Sequence, residues 1–431
     1  MSANSSLGKQ LTTALASRDA RHIRRRLPEP SSASLSRMVN FSSNDYLSLS
    51  ISPELRKLFL DKLHVAPDVL GSGGSRLLVN GTAHDALEAR LAAFFKSPTA
   101  LLFNSGFDAN VGFFSCVPQA GDIVIYDEYI HASVHDGVRA SRARDATYSF
   151  PHNSITAFRR LLTQICDETP ALSLGQGSVF VAVESLYSMD GTFAPLQEIS
   201  AILDEVMPAG NGYLVVDEAH ATGVYGPQGR GRVAMLGLES KVLARLHTFG
   251  KALAASGAVV LTTPLIRDYL LNYARPLIYT TSLSSSNIIA AEASFDMLES
   301  GAAQRAADEL LDNTLYFTHT LRGRLSDIPS DLLSLPSDIE ASAIIPIMTP
   351  RPRSLSGYLL ERGMNARPIT WPTVPKGKDR VRVCLQTSHT REELDRLVTA
   401  MINWAKQTLE EQSGRGPGMR ETVGTAMASK L

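Results

Sequence analysis

Between roughly Ala100 and Leu261, short apolar or β-branched runs alternate with stretches of helical periodicity. ALLF, DIVIY, VFVAV, YLVV and AVVL each lie between turn signals and a helix-period segment. Alternation of this kind predicts an α/β fold, with a mostly parallel sheet covered by helices on both faces. Beyond about Ser300 the pattern changes. A long helix over 302–325 precedes two strand-like pieces, SAIIPIM and VRVCLQ, and a final helix runs through Trp404, which reads as a smaller C-terminal α+β domain. Ahead of the alternating region the chain is polar, with a basic cluster at Arg24, Arg25 and Arg26 and a Pro/Ser-rich break, LPEPSSASLS. The expected organisation is an N-terminal arm over 1–60, a large domain over 61–300, a small domain over 301–412 and a tail over 413–431.

Composition narrows the function classes. Lys and Arg number 42 against 43 Asp and Glu, so the 431-residue chain carries a net charge of −1 and offers no electrostatic attraction for nucleic acid. Cys116, Cys166 and Cys384 are odd in number and far apart, which fits neither a disulfide framework nor a four-thiolate zinc site. No apolar run approaches the ~18–20 residues of a membrane-spanning helix, and MSANSSLGKQ lacks the apolar stretch of a signal peptide. The expectation is a soluble protein that is not secreted. The tail closes on Ser429, Lys430 and Leu431, the tripeptide read by a peroxisomal import receptor, behind a Gly-, Ser- and Met-rich segment.

In an open parallel sheet, ligands bind beyond the carboxyl ends of the strands. Polar residues at those ends are therefore the candidates for chemistry. Asp217 and His220 follow YLVV, Glu184 and Ser188 follow VFVAV, and Lys251 lies in LHTFGK behind Thr248. Asn104, Ser105, Gly106 and Phe107 follow ALLF and open a helix, where free backbone N–H groups and the helix dipole suit a phosphate. Each residue has an ordinary reading as well: Asp217 as a helix N-cap, Lys251 as a solvated side chain, His131 as a satisfied structural histidine.

Taken together these segments resemble the α-oxoamine synthases, fold-type-I transferases that use pyridoxal 5′-phosphate. The resemblance runs from about Arg24 to about Trp404. It is carried by FSSNDYLSLS, GSGGSRL, LLFNSGFDAN, YIHASVHDG, ESLYSMDGTFAPL, LVVDEAHATGVYG, HTFGK, IYTTSL and PTVP in that order. It implies that Lys251 holds the cofactor as a Schiff base and, once displaced, acts as the base at the substrate α-carbon. Asp217 would face the pyridine nitrogen, His220 the ring oxygen and His131 the ring face opposite Lys251. Ser188, Thr248 and the amides of Gly106 and Phe107 would contact the ring or its phosphate. Thr281 would reach a neighbouring subunit's phosphate, making the active site shared across a homodimer. Arg382 would hold the amino-acid carboxylate, with Arg24 and Thr373 near the substrates.

The implied activity is decarboxylative condensation of an amino acid with an acyl thioester. The nearest branch joins L-alanine to pimeloyl-CoA on the way to biotin, a choice that the peroxisomal tripeptide favours. A glycine-using acetyltransferase, a 5-aminolevulinate synthase or a secondary-metabolite enzyme would keep the same site, whereas a serine palmitoyltransferase is disfavoured because no membrane anchor is visible. A non-catalytic partner subunit is the alternative of another class, opposed by the joint presence of Lys251, Asp217, His131 and His220. The chain departs from the family pattern at Thr370, where an arginine is frequent, with Arg367 upstream. Two further patterns lead elsewhere. VVDEAH resembles a helicase acidic box, but Lys9, Lys251 and Lys378 are each followed by Gln, Ala or Asp, so no phosphate loop accompanies it. His131 and His135 have metal-ligand spacing, but Ala132 stands where a metalloprotease places its glutamate, so no metal is expected.

Overall fold

The computed structural model describes residues 5–21, 23–25, 38–337 and 341–413. Contacts divide the chain into two units, Met1–Val39 and Asn40–Leu431. In the first, helix α1 (Ser6–Ala20) is capped by Ser5, whose side chain accepts from the Gly8 amide. The arm expected over 1–60 is divided by this boundary. Phe41 and Tyr46 are fully buried in the larger unit, and Phe41 exchanges backbone hydrogen bonds with Asn365 and Cys384.

The larger unit is built on seven strands: β1 (Thr99–Phe103), β2 (Ile123–Asp127), β3 (Thr147–Phe150), β4 (Val179–Glu184), β5 (Gly212–Asp217), β6 (Val242–Thr248) and β7 (Ala258–Thr262). Their order in the sheet is β1-β7-β6-β5-β4-β2-β3. Only β7 runs against its neighbours. The mostly parallel sheet is therefore the one the apolar runs predict.

Alternate residues of the central strands feed two separate cores. Val124, Phe180, Ala182 and Val215 pack with Phe113, Phe114, Val134 and Leu270 on one face. Ile125, Val181, Val183 and Val216 pack with Phe158, Leu162, Ile199 and Leu203 on the other. Burial on both faces requires strands that are apolar throughout, and all six residues of β4 are buried. Helices α2 (Pro53–Val65) and α3 (Thr82–Phe94) precede the sheet in the chain, and those that close these faces include α4 (Gly106–Cys116), α5 (Ala132–Ala140), α6 (Ile155–Glu168) and α7 (Leu196–Val206).

The C-terminal stretch adds a second, antiparallel sheet. Its strands are β8 (Ile344–Met348), β9 (Arg367–Ile369) and β10 (Arg380–Cys384), with β10 in the middle. The expected long helix is present as Ala302–Arg324, and the final helix spans Arg391–Ser413. All three cysteines are free.

His389, just ahead of that last helix, ties the two ends of the larger unit together. Its Nδ1 accepts from the Gln386 amide at 3.0 Å, its Nε2 lies 3.2 Å from the Asn40 carbonyl, and its ring is 4.4 Å from that of Phe41. Burial pushes its pKa down to about 4 from an ordinary 6.5. The unfolded chain thus takes up a proton near pH 6.5 that the folded chain refuses. The stabilisation is complete above pH 6.5 and is lost as the pH falls towards 4. Wild type is expected to lose about 3 kcal/mol more than His389→Gln across that window, an order-of-magnitude value read from denaturant midpoints at successive pH.

Candidate active site

The expected residues gather where β4, β5 and β6 end. Glu184 and Asp217 are register partners on adjacent strands, both buried. Asp217 Oδ1 accepts the Ala219 amide at 2.9 Å, which turns the chain out of the strand. Its Oδ2 accepts Asn110 Nδ2 at 2.8 Å from α4. Two N–H donors thus hold a carboxylate inside the protein, where an unpaired charge would be costly. Glu184 differs, since its Oε1 is buried without a partner among the described residues. Burial first, and then the neighbouring Asp217, push its pKa well above the ordinary carboxylate value.

Lys251 lies three residues beyond β6. Burial lowers its pKa from the ordinary lysine value, Asp217 and Glu184 oppose that fall, and Arg382 adds to it. A depressed pKa enlarges the fraction of free amine, the nucleophilic and basic form. His220 is buried and responds to the same charges: burial first, then Lys251, Arg382 and His131, drive its pKa well below 6.5. Its Nδ1 lies 2.6 Å from the hydroxyl of Tyr46.

Arg382 is buried on the middle strand of the second sheet. Its Nε donates to the Ser188 carbonyl at 2.5 Å and its Nη2 to Asn44 Oδ1 at 3.1 Å. Asn44 also accepts from Tyr46 at 3.2 Å. One network therefore joins Ser188, Arg382, Asn44, Tyr46 and His220.

Helix α4 begins at Gly106, with Ser105 as its cap accepting from the Asp108 amide. The Gly106 and Phe107 amides fall in the first turn, which has no intrahelical acceptors. A Cβ at Gly106 would lie 3.4 Å from Thr248 Cβ, so the helix start packs directly against the end of β6. Phe107 is exposed, its ring centroid 6.5 Å from that of His131. Thr281 is exposed, and its carbonyl accepts Asn104 Nδ2 at 2.7 Å beside the same helix start.

Thr373 is not linked to this cluster by any contact among the described residues. It is exposed in a turn closed by its amide on the Thr370 carbonyl. Arg24 pairs with Asp19 at 2.6 Å within the N-terminal unit. At Thr370, where the resemblance anticipated an arginine, Arg353 Nη2 donates to the hydroxyl at 3.2 Å, so a guanidinium stands at this turn from another element. Asn44, Tyr46, Asn110 and Ser133 were not singled out by sequence reasoning. Their only signal is membership of FSSNDYLSLS, LLFNSGFDAN and YIHASVHDG, the segments that carry the resemblance.

Comparison with known proteins agrees with this geometry. The family model for aminotransferase class I and II matches residues 36–401. An 8-amino-7-oxononanoate synthase from Emericella nidulans is 45% identical over 412 residues, covering 95% of this chain and 98% of that one. The aminoacyl transferase sphA of Aspergillus fumigatus is 40% identical over 393 residues, 88% of this chain and 83% of that one. The solved structure of 8-amino-7-oxononanoate synthase from Francisella tularensis superposes with a TM-score of 0.69 at 26% identity, covering 86% of this chain and 99% of that one. The chain belongs to the aminotransferase class I and II family, and within it to the α-oxoamine synthases. It is an acyl-transferring enzyme that depends on pyridoxal phosphate.

The residues present suit that cofactor. A buried primary amine of depressed pKa, a buried carboxylate that accepts from two N–H donors and first-turn amides without intrahelical acceptors match an aldehyde, a pyridinium and a phosphate. Among the described residues no group of three or more His, Cys, Asp or Glu could hold a metal, and no helix is long and apolar enough to cross a membrane.

The Tyr46 hydroxyl is the group that meets buried His220 Nδ1. Tyr46→Phe is expected to leave that nitrogen unsatisfied and lower stability by about 1–3 kcal/mol, measured by chemical denaturation of the purified protein.

Proposed function

We propose that the enzyme condenses L-alanine with pimeloyl-CoA to give 8-amino-7-oxononanoate, CoA and CO2, the carbon–carbon bond-forming step of biotin synthesis. The observation that carries this reading is the 45% identity to a synthase of that name, covering nearly all of both chains. Nothing in the site favours a particular acyl chain over others, so the 40% identity to the aminoacyl transferase sphA supports a second reading, an α-oxoamine condensation with other substrates.

The cofactor, when bound, supplies an electrophilic aldehyde and a ring that withdraws the electron pair released at the substrate α-carbon. The protein's own residues do the rest. Lys251, whose pKa burial lowers, would hold the aldehyde, and its Nζ, once free, would take the α-proton. Asp217 keeps a negative charge where the pyridine nitrogen would sit, which favours the protonated ring. Arg382 pairs with the amino-acid carboxylate; its buried guanidinium, fixed by Ser188 and Asn44, sets which bond at the α-carbon is broken. The amides of Gly106 and Phe107 with Thr248 would hold the phosphate, while His220 would meet the ring oxygen and His131 the ring face. Thr281, exposed at the same helix start, would serve the phosphate of a second copy, so the working unit is a homodimer.

A panel of alanine, glycine and serine against acyl-CoA thioesters, read by CoA release, tests the substrate assignment. Turnover is expected to be highest with alanine and pimeloyl-CoA, and its absence with that pair would reject the first reading. We further propose a peroxisomal location from Ser429, Lys430 and Leu431, which lie outside the described residues. A fluorescent fusion at the N-terminus is expected to give punctate signal that becomes diffuse when the last three residues are deleted, whereas diffuse signal from the intact tail would refute the address.

A further inference from the structure

Helices α4 and α5 lie side by side because Gly137 has no side chain. A Cβ there would fall 2.8 Å from Phe114 Cβ and 3.1 Å from the Asn110 carbonyl oxygen. Ser133 precedes Gly137 by four residues and so lies on the same face of α5, opposite Asn110. Both are buried, Ser133 completely. A chain of hydrogen bonds results: His131 Nδ1 to Ser133 Oγ at 2.7 Å, Ser133 Oγ to Asn110 Nδ2 at 3.0 Å, and Asn110 Nδ2 to Asp217 Oδ2 at 2.8 Å.

The direction of this chain is fixed from the Asp217 end. A carboxylate only accepts, so Asn110 must present its amino group, and the second hydrogen of that group goes to Ser133 Oγ. Ser133, fully buried, then has one hydrogen of its own to donate. The acceptor within reach is His131 Nδ1. The Ser133 backbone amide points at the same nitrogen from 3.3 Å, and a donor cannot face a donor. Two independent bonds therefore require Nδ1 to be unprotonated.

We infer that Ser133 and Asn110 are positioning residues that lock His131 as the neutral tautomer with its proton on Nε2 and couple its orientation to Asp217. His131 is then a hydrogen-bond donor towards the site, through an edge that remains exposed. It presents Nε2–H to an oxygen of the bound substrate and is no base at that edge, which leaves proton abstraction to Lys251. Phe107 limits the ring from the side at a centroid distance of 6.5 Å. The other charges that face His131 are Asp217, Lys251 and Asp136.

The tautomer is read directly from the two ring ¹⁵N shifts of His131 in cofactor-loaded, full-length protein labelled at histidine. Wild type is expected to show an unprotonated Nδ1 and a protonated Nε2. Ser133→Ala is expected to move both shifts towards a tautomer mixture. It should also lower kcat by about tenfold or more with an amino-acid KM within about twofold of wild type, the pattern of a misoriented imidazole. Ser133→Thr, which keeps the hydroxyl, is expected to restore the wild-type shifts. A protonated Nδ1 in wild type, or unchanged shifts in Ser133→Ala, would overturn the assignment. The shifts are recorded without substrate, so this outcome is separable from failure of the alanine and pimeloyl-CoA reading.

Discussion

A carboxylate buried at the end of a central parallel strand is the constraint on which the rest of the site depends. Asp217 is 7% exposed and is held by the Asn110 amide and the Ala219 backbone amide. Its charge acts on Lys251, Glu184 and His131. It supports the proton on Lys251 against burial and adds to the upward shift that burial gives Glu184. Through Asn110 and Ser133 it also reaches His131. The sheet makes this possible because β4 and β5 run in register, so Glu184 and Asp217 emerge side by side.

The second set of constraints comes from far along the chain. Arg382, on the middle strand of the C-terminal sheet, meets Asn44 from the FSSNDY segment and the Ser188 carbonyl beyond β4. Tyr46 completes the link to His220. Three regions separated by more than a hundred residues thus share one buried polar network, whose members are satisfied by one another. Such a network holds the Arg382 guanidinium in place.

The parallel sheet was legible because both its faces are covered, which makes its central strands apolar throughout. Two strands escaped that criterion. β6 carries Arg245 and His247 in its middle; Arg245 is buried and donates Nη2 to the Phe95 carbonyl, so tertiary contacts override the pattern. β3 lies at the sheet edge, with two of its four residues exposed. Strand-end residues such as Asp217 and Glu184 could be found from position alone. Asn110 and Ser133 could not, since their roles arise from the packing of two helices around Gly137. The acidic string around Glu218 also gains its meaning only in three dimensions. Its carboxylate accepts the Ser185 hydroxyl and the Arg232 and Val233 amides, tying down a loop. Thr370 is the remaining example, where Arg353 brings a guanidinium that neighbouring sequence does not announce.

The central claim is that the amine at Lys251, poised beside Asp217, is the covalent anchor for pyridoxal phosphate. Borohydride reduction of the cofactor-loaded protein followed by peptide mapping tests it most directly. The account predicts a single phosphopyridoxyl label on the peptide containing Lys251, absent from Lys251→Ala. A label on another lysine, or none in protein that retains the cofactor, would contradict it.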